Sequence, residues 1–161
     1  MEASFKQADN IDKKDKYKQF IEQYTLLIDG EKDEISVLAN TSAALKEAFD
    51  FFWVGFYIIK DNELNLGPFQ GSVACYRIKK GKGVCGTAWA KQETQVVPDV
   101  DLFPGHIACS SLSRSEIVVP IIANGEIKGV LDIDSDKLNT FDNTDKEYLE
   151  KIVNILSKNI Y

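Results

Sequence analysis

From Phe51 onward the sequence drops the helical period, and this switch constrains the fold more than any other feature. Before it, apolar residues recur three and four apart, first as Tyr17, Phe20, Ile21, Tyr24, Leu27 and Ile28. A second set comprises Ile35, Leu38, Ala39, Leu45 and Phe49. Both spacings predict amphipathic helices, one starting at Lys16 with Gly30 as its stop, the next running from Asp33 to Phe49. Phe51–Ile59 is instead aromatic and β-branched and reads as a strand. Asp61-Asn62-Glu63 reads as a turn, Leu64–Gln70 as a return strand interrupted by Gly67-Pro68, and Ala74–Ile78 as a third short strand. Lys79–Gly83 is a flexible turn. Val84–Lys91 reads as a short helix with Cys85 near its first turn, and Gln95–Val97 as a strand ending at Pro98. Glu116–Ala123 and Glu126–Ile133 flank Asn124-Gly125, a strong hairpin signal. A last helix begins at 142–144, where Thr144 and Glu147 match a capping box. Its buried side is Tyr148, Leu149, Ile152, Ile155 and Leu156. Helices, then mostly sequential strands, then a helix predict an α+β fold. The sheet is antiparallel and central, with the N- and C-terminal helices packed on one face.

The 161 residues suit one compact domain. We divide them into a charged, variable N-terminal segment, 1–15, and a single domain, 16–161. A net charge of -6 disfavours nucleic acid or anionic membrane as partner, because both call for a basic patch. No apolar stretch approaches the ~20 residues that cross a bilayer. The N-terminus lacks the apolar centre of a signal peptide. These features predict a cytoplasmic protein, in a compartment where lasting structural disulfides are rare.

That setting makes Cys75, Cys85 and Cys109 informative. A buried cysteine usually packs as a small hydrophobe. Cys109, however, opens a polar loop, Cys109-Ser110-Ser111-Leu112-Ser113-Arg114-Ser115-Glu116, within a stretch (98–115) that has no periodicity. Structureless segments of that length are usually functional. Either of the other cysteines could close a transient disulfide with it. No Cys-x-x-Cys pair accompanies the lone His106, so no metal is expected. Downstream, Asp132 and Asp134 are two apart and share a strand face. Glu116 joins them only if the hairpin is irregular. With Ala123 opposite Glu126 and no further shift, Glu116 falls opposite Ile133 and faces away. A three-residue turn, or a bulge near Pro120 or Gly129, places it opposite Asp134. We expect such an irregularity.

Several segments together resemble the free methionine-(R)-sulfoxide reductases, a family of stand-alone GAF domains, over residues 16–160. They are Phe52-Trp53-Val54-Gly55-Phe56-Tyr57, Gly67-Pro68-Phe69-Gln70-Gly71 with Cys75, and Gly81-Lys82-Gly83-Val84-Cys85-Gly86. His106-Ile107-Ala108-Cys109, Ser113-Arg114-Ser115-Glu116-Ile117-Val118-Val119-Pro120 and Gly129-Val130-Leu131-Asp132-Ile133-Asp134-Ser135 complete the set. The resemblance implies that Cys109 is the nucleophile, Cys75 its resolving partner and Cys85 a second recycling cysteine. It implies that Glu116, Asp132 and Asp134 hold and polarise the substrate, and that Trp53 and Tyr57 wall its methyl group. No bound cofactor is implied; thioredoxin or a similar thiol reductant supplies the electrons.

The residue types suit that chemistry. Attack on a sulfoxide needs a thiolate. The sulfoxide oxygen needs a proton, which a carboxyl group held among other carboxyls keeps at neutral pH. The resulting sulfenic acid condenses with a neighbouring thiol. A carboxylate also pairs with the ammonium of a free amino acid, while Ser110, Ser111, Ser113 or Arg114 could meet its carboxylate. The competing reading is a GAF small-molecule or redox sensor that binds without turnover. Leftover apolar surface on the helices is expected to support a homodimer.

Overall fold

The computed structural model describes residues 4–7 and 10–161. Helices α1 (Lys13–Ile28) and α2 (Glu34–Phe49) lead into strands β1 (Trp53–Lys60), β2 (Glu63–Gln70) and β3 (Arg77–Ile78). Helix α3 (Gly83–Lys91) and strand β4 (Gln95–Val97) follow, then the long hairpin of β5 (Ser115–Ala123) and β6 (Glu126–Ser135). Helix α4 (Asn143–Ile160) ends the chain. The strands form one six-stranded sheet in the order β3-β2-β1-β6-β5-β4, and every neighbouring pair is antiparallel. The fold is thus the expected α+β domain. Of the segment 1–15, residues 1–3 and 8–9 lie outside the described residues; Phe5 is buried in the main core.

Alternation along the strands sorts the interior into two layers. Val54, Phe56, Ile58, Ile117, Val119, Ile121, Leu131 and Ile133 project to one face. There they meet Tyr17, Phe20 and Tyr24 of α1, Leu38 and Leu45 of α2, and Leu149, Ile152 and Leu156 of α4. The other face carries Trp53, Tyr57, Val118 and Val130 and is covered by α3 through Val84, Cys85, Ala88 and Trp89. Long sheet, three helices on one side and one short helix on the other leave the second face only partly roofed.

Local chemistry sets the helix starts. Asp12 and Asp33 each accept a backbone N–H at the head of α1 and α2, satisfying donors the first turn leaves free. The capping box of α4 is built from Asp142 and Asp145, not from Thr144 and Glu147 as the pattern suggested. Asp145 wins because it is buried: it also accepts from Tyr17 Oη at 2.6 Å and pairs with Lys13 at 2.7 Å, joining the heads of α1 and α4. Helix α2 differs too. Val37, Leu38, Thr41, Ser42, Ala44, Leu45 and Ala48 are buried, while Ile35 and Ala39 are exposed. Small residues let α2 lie close to the sheet, so its inner face is turned from the one the larger residues marked. The third strand is also shorter than expected, only Arg77–Ile78, and 98–115 contains a single 3-10 turn at Val100–Leu102. No helix is long and apolar enough to cross a membrane among the described residues.

Candidate active site

The site lies on the second face of the sheet, and strand register assembles it. Gly55 of β1 pairs with Asp132 of β6, and Trp53 with Asp134. Across the hairpin Val118 pairs with Asp132 and Glu116 with Asp134. The hairpin has the expected irregularity. Asn124 and Gly125, both at positive φ, form a tight turn, with Ala123 opposite Glu126 and Ile122 opposite Ile127. The next pair is Ile121 with Gly129, so Lys128 is an extra residue. This bulge advances the register by one and brings Glu116 round to the face of Asp132 and Asp134.

Glu116 and Asp132 are buried, and Asp134 stands half-buried beside them. Desolvation holds the Glu116 carboxyl well above its ordinary range, and the charges of Asp132 and Asp134 push it further. Burial raises Asp134 as well, again reinforced by Asp132, against a 3.2 Å bond from the Ser113 hydroxyl. Asp132 is also raised by burial, but hydrogen bonds from Glu116 and Cys85 oppose the shift. Of the three carboxyls, Glu116 and Asp134 are thus pushed up the more strongly, and Asp132 is the one whose charge is opposed least. Asp132 Oδ1 is buried with no hydrogen-bond partner among the described residues.

Cys85 sits in the first turn of α3, where a helix dipole favours thiolate. Burial overrides the dipole: desolvation, with Asp132 and Glu116 nearby, pushes the thiol well up. It therefore sits here as a protonated thiol beside Asp132 and Glu116. Cys85 Sγ and one oxygen each of Glu116 and Asp132 lie within 4.8 Å of one another, the one grouping of metal-ligand type among the described residues.

Cys75 and Cys109 are joined in a disulfide, with Cα atoms 5.5 Å apart, while Cys85 is free. The bond links the loop after β2 to the loop before β5. Two aromatic residues on β1 hold the first loop: Trp53 Nε1 donates to the Ser72 carbonyl at 2.9 Å, and Tyr57 Oη to the Cys75 carbonyl at 3.0 Å. Trp53 also stacks on Phe69 at 5.1 Å and on Tyr57 at 6.3 Å. The two rings expected as a wall are thus also the anchor of Cys75. Between these loops and the acids lies a cavity of about 40 Å³, bordered by Trp53, Tyr57, Cys109, Glu116, Asp132 and Asp134. That is room for about one water.

The eight residues singled out from the sequence are gathered here, with Cys85 beneath the acids and Cys75 on the outer side of the disulfide. His106 was seen only as a potential metal ligand. It borders the same cavity, with Nε2 3.9 Å from Glu116 Oε2. Desolvation lowers its imidazole, partly offset by Asp101. Both shifts, His106 down and Glu116 up, favour the neutral form of each group in this contact. Only its place three residues before Cys109 pointed to it. Of the proposed carboxylate contacts, Ser110 and Ser113 border the cavity, whereas Arg114 is turned to Asp101 at 3.5 Å. Asp136, two residues past Asp134, is exposed and takes no part in the cluster.

The GAF domain family model matches residues 33–160. GAF domain-containing protein A of Dictyostelium discoideum is 58% identical over 145 residues, 89% of this chain and 92% of the relative. The free methionine-R-sulfoxide reductase of Saccharomyces cerevisiae is 46% identical over 158 residues, 92% of this chain and 88% of the relative. The solved structure of free methionine-R-sulfoxide reductase from Neisseria meningitidis in complex with its substrate superposes with a TM-score of 0.95 at 52% identity, covering 99% of this chain and 95% of that one. The chain belongs to the GAF domain family and, within it, to the free methionine-R-sulfoxide reductases.

Proposed function

We propose that this protein reduces free L-methionine-(R)-sulfoxide to methionine. The supporting observation is the Cys75–Cys109 disulfide beside a cavity bordered by Glu116, Asp132 and Asp134, whose carboxyls burial pushes up. In the reduced protein the Cys109 thiolate attacks the sulfoxide sulfur. Glu116 donates a proton to the sulfoxide oxygen as negative charge develops on it. The oxygen passes to Cys109 as a sulfenic acid, and methionine leaves. Cys75 then attacks the sulfenic sulfur, forming the disulfide and releasing water.

Specificity for the free amino acid comes from the same acids. The unpartnered Asp132 Oδ1 is a site for the substrate ammonium, which a peptide-bound methionine lacks. Trp53 and Tyr57 wall the methyl group. His106 positions Glu116. Cys85 serves as a second recycling thiol, slower than Cys75 because a protonated thiol beside acids is a weak nucleophile. Thioredoxin or an equivalent dithiol resets the disulfide. The protein works in the cytoplasm as a homodimer, with Leu26 and Ile35, exposed on α1 and α2, as the contact surface.

The test is NADPH consumption with free methionine-R-sulfoxide, thioredoxin and thioredoxin reductase. Turnover that disappears in Cys109→Ser is expected, with little on the S epimer or the N-acetylated substrate. Saturable binding of the sulfoxide without NADPH loss would instead support the sensor.

A further inference from the structure

The disulfide is half-buried and opens to solvent between two loops that carry unusual surface. Large apolar side chains stand exposed within three residues of each half-cystine. On the Cys75 loop, Val73 is 87% and Tyr76 76% exposed; on the Cys109 loop, Leu112 is 64% and Ile107 39% exposed. Four of the nine exposed large hydrophobics among the described residues fall there, on two short loops. Such residues side by side mark an interaction site. Charge singles out the same edge. Between Glu63 and Glu93 there is no carboxylate, yet Arg77, Lys79, Lys80, Lys82 and Lys91 lie in that interval, in a chain of net charge -6. On the Cys75 side the apolar residues are thus followed directly by exposed Arg77, Lys79, Lys80 and Lys82, while on the Cys109 side exposed Asp101 is paired with Arg114.

We propose that these two loops form the docking face for an acidic protein dithiol reductant, which attacks Cys75 rather than Cys109. This rests on the functional reading above and names the surface through which the enzyme is reset. A protein partner is indicated because a small thiol needs neither an apolar collar nor a basic flank. The sulfur is chosen by position. Cys109 borders the acid-lined cavity, whereas Cys75 lies outside it, next to exposed Tyr76. A partner thiolate attacks Cys75 Sγ, the Cys75–Cys109 bond breaks, and Cys109 leaves as a thiolate into the cavity where it is next needed. The partner's second thiol then attacks the partner sulfur of the mixed disulfide and displaces Cys75. Two electrons pass to the enzyme, the proton of the partner's second thiol ends on Cys75, Cys109 remains a thiolate, and the partner leaves as its own disulfide.

The experiment follows reduction of the disulfide by thioredoxin, without sulfoxide, by counting free thiols, and in parallel by dithiothreitol. Tyr76→Ser and Leu112→Ser should each raise the KM for thioredoxin roughly ten-fold, the scale of a lost interface anchor. The dithiothreitol rate should stay at the wild-type value. Lys79→Glu, an exposed change that threatens no packing, should raise the same KM at low salt, with the difference vanishing at high salt. Thioredoxin whose second active-site cysteine is serine should be trapped on Cys75 in peptide maps. An unchanged thioredoxin KM, equal slowing with dithiothreitol, trapping on Cys109, or a change in oligomeric mass in the variants would overturn the proposal. A chain that reduces no sulfoxide even with dithiothreitol would overturn the functional reading instead, and the thiol count would still score the docking.

Discussion

Glu116 stands directly opposite Asp134 across the β5–β6 ladder, and the single extra residue Lys128 puts it there. Without the bulge, Glu116 would point into the helix-covered core while Ile117, Val119 and Ile121 faced the cavity. Deleting Lys128 therefore sets the turn against the hydrophobic pattern. We expect loss of cooperative thermal unfolding by circular dichroism and loss of activity. Lys128→Ala keeps the residue count and should stay within about 0.5 kcal/mol of wild type.

Burial and its acidic neighbours hold the Glu116 carboxyl well above its ordinary range. Its folded pKa lies above its unfolded value, so the native state binds more protons over that interval and stability falls as pH rises. The favourable contribution is complete below about pH 4.5 and is lost as pH rises through the folded pKa. Glu116→Gln should thus be more stable than wild type at alkaline pH. The gain should shrink to nothing in acid, as read by urea melts across pH. The same variant should lose roughly 100-fold or more in kcat, the usual worth of a general acid.

The disulfide assigns different defects to its two members. Cys109→Ser should release no methionine. Cys75→Ser should release about one methionine per chain in a single turnover and then stall with thioredoxin, with the sulfenic acid on Cys109 captured by dimedone. Rapid continued turnover of Cys75→Ser would show that Cys85 resolves the intermediate as well as Cys75 does.

Gly55 makes room for both the wall and the ladder. A Cβ there would lie 2.2 Å from Phe69 Cβ, 2.8 Å from its Cα and 2.9 Å from Trp53 Cη2. Backbone blocks the relief, so Gly55→Ala should cost about 1–3 kcal/mol in urea unfolding. It should also raise the KM for the sulfoxide by displacing the Trp53–Phe69 stack.

With the disulfide closed, the cavity of about 40 Å³ is too small for an amino acid. The bond ties the Cys109 loop to a loop fixed by Trp53 and Tyr57. Methionine should therefore bind the reduced protein and not the oxidised one in calorimetry. Equal binding to both would show that the loops open without breaking the bond.

Much of this was legible in the residues. The 3.6 and 2.0 periods placed the helices and strands, and the two-apart spacing of Asp132 and Asp134 fixed their common face. The demand that Glu116 join them predicted a three-residue turn or a bulge, because one residue of slip exchanges the faces of a strand, and the structure has the bulge. Local pattern failed where burial decided. Thr144 and Glu147 fit a cap as well as Asp142 and Asp145 do, and only contact with α1 selects the latter. Ile35 looked like core on α2, but the tight fit of small residues to the sheet turned the helix away from it.

The sequence by itself determined the elements, their antiparallel order and the residue types able to do thiol and acid chemistry, because these follow from neighbours along the chain. The pairing of Cys75 with Cys109 was implied by family resemblance and not by the residues' spacing, while tertiary structure alone decided that Cys85 is sealed under acids and that His106 meets Glu116. Those outcomes depend on distance and on exclusion of water, and both arise only when segments remote in sequence close over the same face of the sheet.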